Sequence, residues 1–150
     1  MGDEYKMNKD FLELYNPNVK ISFHSNLHDL IGALGKYDFK LTSFEDRPPI
    51  YHGRAWITET DEAVIHFYVT DKPERLNSIM LTVGNSTEEL HNSYQRRQKW
   101  LEANYGRAQI IKENLFYGTL DYEWKLPSLK IKHFVHDRFG DEEGIYFECI

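Results

Sequence analysis

At Tyr37 the chain changes its period, and that change limits the folds open to it. Before it, in "NLHDLIGALG", Leu27, Leu30, Ile31 and Leu34 fall on one face at helical spacing. Asn26 and Asp29 stand at the cap and N3 positions, and Gly35 is a natural stop. After it, apolar residues alternate with polar ones over about 37–44, 51–58, 63–70 and 77–83. "EDRPP", "ETDE" and "DKPERLN" break these segments with turn chemistry. The switch then recurs. "STEE" gives a capping box of Ser86 and Glu89, a helix follows to about Tyr105, and Gly106 ends it. Strands resume at about 108–113, 116–124, 129–136 and 145–149.

Helix and four strands, twice over, suggests an internal repeat over about 26–84 and 86–150 within one domain, 1–150. With a shift of 66, Ile65 meets Ile131, Val69 meets Val135, Asp71 meets Asp137, Lys72 meets Arg138 and Ile79 meets Ile145. Upstream, Gly53 meets Gly118 at a shift of 65. The expected class is α+β: a curved, mostly antiparallel sheet from two α-β4 repeats, with the two main helices packed on one face. A short N-terminal helix is expected in "NKDFLELY", capped by Asn8 and stopped by Pro17, and "VKISF" reads as a short strand.

Alternation then assigns faces. Phe39, Leu41, Ala55, Ile57, Ile65, Phe67, Val69, Ile79, Leu81 and Val83 should face the helices. So should Ile110, Leu120, Tyr122, Trp124, Leu129, Ile131, Val135, Ile145, Phe147 and Cys149. The other face would carry Arg54, Trp56, His66, Tyr68, Lys130, Lys132, Phe134, His136, Tyr146 and Glu148. It is aromatic and of mixed charge, the kind of surface that docks a partner. In the long helix Leu90, Tyr94, Leu101 and Tyr105 form the apolar stripe, and Arg97 falls within it, where it could snorkel or pair with an acid but is read first as the solvated edge of that stripe.

Charge narrows the functions. The net charge is −6, and acids outnumber Lys and Arg by thirteen to nine in residues 1–75 and by eleven to nine in 76–150. Even acidity repels a phosphate backbone and suits a basic partner. A nucleic-acid reading would rest on Arg54, Lys130 and Lys132 beside the sheet aromatics. The single cysteine, Cys149, permits no internal disulfide and reads as a small core residue in the place of Val83. No apolar leader or membrane-length run is present, so the expected location is cytoplasmic, with no membrane.

The histidines do not assemble a metal site. His133 and His136 are three apart on a strand and point to opposite faces; His133 reads as a hydrogen-bonded core residue. His24 and His28 have helical spacing, but His24 precedes the cap at Asn26. Asp121 and Glu123 share a strand face, roughly 7 Å apart. With His66 and His136 they support an alternative: a small-molecule or nucleotide-binding domain, possibly an enzyme. No nucleophile elbow, P-loop, dinucleotide fingerprint or H-E-x-x-H motif is present, and no cofactor is implied. The favoured expectation is a non-enzymatic, acidic protein-binding module, such as an immunity protein or antitoxin-like inhibitor that masks a basic partner. Its contacts would be Trp56, Tyr68, Phe134 and Tyr146. Acids from two turns would form the rim: Glu59, Asp61 and Glu62, and Asp141, Glu142 and Glu143.

Overall fold

The computed structural model describes residues 10–70, 74–84, 90–136 and 142–150. Ten strands and two helices follow in the order β1 (Phe11–Leu14), β2 (Val19–Ser22), α1 (Leu27–Leu34), β3 (Phe39–Thr42), β4 (Ile50–Trp56), β5 (Glu62–Val69), β6 (Leu76–Gly84), α2 (Leu90–Tyr105), β7 (Gln109–Asn114), β8 (Thr119–Leu126), β9 (Leu129–His136) and β10 (Glu142–Cys149). Strands hold 54% of the described residues and helices 18%, so the class is mostly β and the expected α+β balance is wrong. Two things tip it. The strands are long, and Phe11–Leu14, expected within a helix, form a strand. Phe11 and Glu13 are exposed while Leu12 and Leu14 are fully buried. That period-two pattern pairs β1 with β2 as a hairpin, Phe11 opposite Ser22 and Leu14 opposite Val19.

The remaining eight strands form one antiparallel sheet, β3-β4-β5-β6-β10-β9-β8-β7, which does not close. Two meanders therefore meet at β6 and β10, where Leu81 faces Ile145 and Ile79 faces Phe147. The register of β5·β6 (Ile65↔Leu81, Phe67↔Ile79) recurs 66 positions on in β9·β10 (Ile131↔Phe147, His133↔Ile145). It does not extend to the glycines. Gly53 faces Ile65 inside β4, whereas Gly118 sits in the β7–β8 turn at φ 67°, so the two are not equivalent.

α1 starts where the sequence places it. Asn26 accepts from the Asp29 amide at 2.8 Å, and Asp29 accepts from the Asn26 amide at 3.2 Å. α2 ends at Tyr105, and Gly106 follows at φ 90°. The expected Ser86–Glu89 capping box and the Asp71/Lys72 and Asp137/Arg138 turns lie outside the described residues. One apolar cluster joins the inner sheet face (Ile65, Phe67, Leu81, Ile131, Ile145) to Leu30 and Leu34 of α1, Leu101 and Tyr105 of α2, and Leu12 and Leu14 of the hairpin. Phe23 stacks on Phe147 at 5.5 Å within it. Leu41 and Ile110, expected inside, are exposed because they lie on the edge strands β3 and β7.

Gly144 on β10 stands opposite Phe134 on β9, and a Cβ there would come within 2.7 Å of the Phe134 ring. The ring thus lies over the bare backbone of its neighbour. Gly144→Ala should displace the ring and destabilise the chain by about 1–3 kcal/mol in urea unfolding. Adding Phe134→Ala should remove most of that penalty; simple additivity of the two changes would refute the contact.

Candidate functional site

The largest polar assembly among the described residues is mostly buried, and it is built from residues on four elements. Arg97 sits one turn from Leu101 on the sheet-facing side of α2, 1% exposed. Its Nε donates to Glu143 Oε2 at 2.7 Å and its Nη2 to Oε1 at 2.5 Å, a bidentate fork. Its Nη1 donates to Asp61 Oδ1 at 2.5 Å, and Arg96 Nη2 reaches the same oxygen at 2.7 Å. Thr58 Oγ1 donates to Asp61 Oδ2 at 2.6 Å, which folds the β4–β5 turn around the carboxylate. On the far side of Glu143, His133 Nε2 lies 2.6 Å from Oε2, and Tyr94 stacks on the imidazole with ring centroids 3.9 Å apart. The Tyr94 hydroxyl lies 2.6 and 2.8 Å from the carbonyls of Leu120 and His133, which share its one proton, so that it bridges β8 and β9.

Two arginines face two carboxylates, so the cluster is balanced when His133 is neutral. Burial and the Arg97 charge hold the imidazole below its ordinary 6.5, against the pull of Glu143. The neutral ring carrying its proton on Nε2 donates to Glu143. Gln98 Oε1 lies 2.8 Å from Nδ1 while Gln98 Nε2 has no partner, so Nδ1 of this neutral ring accepts a hydrogen bond only with the Gln98 amide turned end for end. Burial would raise the Asp61 carboxyl, but Arg96, Thr58 and Arg97 outweigh it and hold it at about 2. A histidine hydrogen-bonded to a carboxylate also occurs in catalytic sites. Here His133 and Glu143 are both 0% exposed, while Asp61, Arg96 and Arg97 line a hollow of about 390 Å³ at the other end, and the ion pairs clamp α2 and the β4–β5 turn to the sheet.

This placement corrects several expectations. Arg97 is no solvated edge. Asp61 (3% exposed) and Glu143 (0%) are spent on internal ion pairs and cannot form a rim for a partner. Of the other expected rim acids, Glu59 and Glu62 are exposed, Glu142 is half-buried, and Asp141 lies outside the described residues. A signal for Glu143 was present: it shares parity with Ile145 and Phe147, and so belongs to the inner face of β10.

The accessible candidate is the opposite face of the sheet, on which no described helix lies. Register aligns one row across all eight strands: Lys40, His52, His66, Met80, Tyr146, Lys132, Glu123 and Gln109. At about 4.8 Å per strand it spans roughly 34 Å. Tyr68, Phe134 and Tyr146 are half-buried on this face, and Trp56 is 38% exposed. The first three form a band with Met80. Trp56 stands six residues along β4 from Ile50, the partner of Tyr68, hence roughly 20 Å away. His52 and His66 stack at 5.7 Å, and His66 is held low by burial and by His52. Lys40, Arg54, Lys125, Lys130 and Lys132 mix here with Glu62, Glu123, Glu142 and Glu148, so no single charge dominates among the described residues.

The alternative site does not converge. Between His66 on β5 and Asp121 on β8 stand β6, β10 and β9, which puts the two about 19 Å apart. Asp121 is 8% exposed with its carboxyl raised by burial, and Glu123 lies 3.8 Å from Lys125. His133 is internal, while His136 packs beside Phe134 at 5.7 Å on the outer face. His24 precedes the Asn26 cap and is exposed, as is His28. The Cys149 thiol, half-buried against the core, is pushed up to about 11 by burial and by Glu148, which makes it a poor nucleophile. Among the described residues no three His, Cys, Asp or Glu side chains are grouped to hold a metal, and no helix is long and apolar enough to cross a membrane. No protein-family model, curated protein or solved structure matches the chain.

Arg97→Met would leave Glu143 buried without its counter-charge. It should destabilise the chain by about 3–5 kcal/mol, read as a lower urea midpoint. Stability should also fall in two steps on acidification. An unfolded imidazole titrates near 6.5 and the folded His133 lower, so the unfolded chain takes up more protons as pH drops below 6.5. His66 adds to that step, and Asp61 gives a second between 3.8 and about 2. His133→Asn should flatten the upper step and leave the lower one; an unaltered profile would place the titration elsewhere.

Proposed function

We propose that this chain is a non-enzymatic protein-binding module, of the class of small inhibitors such as immunity proteins or antitoxins. It binds through the helix-free face of its sheet. The observation that carries this reading is the half-exposed band of Tyr68, Met80, Tyr146 and Phe134 on a broad, pre-formed β platform. Aromatic side chains with polar tips give large contact area for little conformational entropy, and they dominate measured interface energies. The strand ladder holds them in register before a partner arrives, so little ordering is needed on binding. The pair best suited to acid–base chemistry supports the same view, since His133 and Glu143 are fully buried.

The net charge of −6 favours a basic partner. The docking face itself mixes signs, so steering would come from acids around it, Glu59 among them. Capture from the cells that make the protein should yield a partner. Tyr146→Ser and Tyr68→Ser should each weaken its affinity about 5- to 30-fold, with unchanged urea midpoints. Added salt should slow association more than it speeds dissociation. Affinity indifferent to both tyrosines would overturn the assignment of this face.

A further inference from the structure

Two exposed acids, Glu13 and Glu59, flank a cleft away from the helix-free face. It is an open hollow of about 470 Å³ between the β1–β2 hairpin, the β4–β5 turn and α2. Tyr15 and Trp100 line it, Glu13 and Glu59 stand at it from the hairpin and the turn, and Asn18 and Asn104 supply amides. We propose that this cleft binds an organic cation, an alkylguanidinium or alkylammonium group, between its two aromatic rings and its two carboxylates.

The chemistry is complementary at each wall. Indole and phenol faces attract a cation through the ring quadrupole, and the effect grows as water is excluded. Trp100 packs against the core and so offers a fixed wall, while Tyr15 is 56% exposed and leaves ring surface open to a guest. Neither Glu13 nor Glu59 forms an ion pair within 4 Å among the described residues, Lys20 across the hairpin from Glu13 included. Both carboxylates thus remain available to an incoming charge. The volume lies in the range of small-ligand sites.

The walls are also pre-set. Tyr15 N–H donates to the Trp56 carbonyl at 2.8 Å, and the Tyr105 hydroxyl donates to the Phe11 carbonyl at 2.8 Å. These bonds tie the hairpin to the end of β4 and to α2. Glu59 is carried at the tip of a turn that Asp61 pins to Arg96 and Arg97. A guest therefore meets groups already in place, which limits the entropy lost on binding.

The test is an NMR titration of the whole chain at low salt, following the Trp100 indole N–H, with agmatine in one arm and an acetylated, amidated Gly-Arg-Gly peptide in the other. A saturable shift at Trp100 is expected, at least fivefold weaker in Glu59→Gln and in Glu13→Gln, both surface changes that leave the fold intact. Agmatine binding as tightly as the peptide assigns the cleft to a free cation; peptide binding alone assigns it to a partner's side chain. The citrulline peptide, the neutral isostere, should not bind. Equal binding of citrulline and arginine peptides, no saturable shift at Trp100, or affinity unchanged by both glutamine variants would overturn the proposal. Tyr146→Ser, on the other face, should leave this titration unaltered, so the cleft and the docking face stand or fall separately.

Discussion

Arg97 holds two buried carboxylates at once, and the geometry of the molecule follows from that. A guanidinium taken out of water is tolerated only where its donors and its charge are met, and here Glu143 and Asp61 meet both. Glu143 comes from β10 at the middle of the sheet and Asp61 from the β4–β5 turn at its end. One side chain of α2 thus fixes the helix against two distant parts of the same face. His133 and Tyr94 extend the anchor to β9 and β8, where the Tyr94 hydroxyl bridges the two strands. The apolar cluster supplies the bulk of the burial, but it is non-directional, and the ion network sets where α2 lies upon it.

That placement divides the molecule functionally. The hairpin and the helices take one sheet face, and the described residues leave the other to solvent. The first face is sealed around polar groups that in an open site would suggest catalysis. The second presents rows of half-exposed side chains whose positions come from strand register alone. At the border the pinned turn brings Glu59 to the wall of the aromatic cleft. Interior electrostatics and surface recognition are therefore joined through Asp61: what the core network clamps is also what shapes the surface around it.

Much of this was legible residue by residue. Asn26 and Asp29 announced the start of α1, because a capping box is a purely local device. His133 and His136 were separable because odd spacing on a strand has one geometric meaning. Tyr68, Phe134 and Tyr146 fell on a common face for the same reason. The misreadings share a cause as well. "NKDFLELY" offers Leu12 and Leu14 at period two within a segment of good helix formers, and strand pairing with β2 overrode propensity. Leu41 and Ile110 obey alternation but lie on edge strands, beyond the reach of the helices. Gly53 and Gly118 matched as letters while the register separates a strand interior from a turn.

The sequence by itself determined the local elements and which side of each strand faces inward, since caps, turn residues and the period of two act over a few neighbours. Only the tertiary structure decided that Arg97, Asp61 and Glu143 belong together. They are 36 and 46 residues apart along the chain, and a charge looks solvated until the partner that lets it be buried is known. The same holds for the cleft: Glu13, Glu59 and Trp100 carry no shared pattern in the chain. They become neighbours because the hairpin and the β4–β5 turn dock against α2, long-range contacts that no local periodicity encodes.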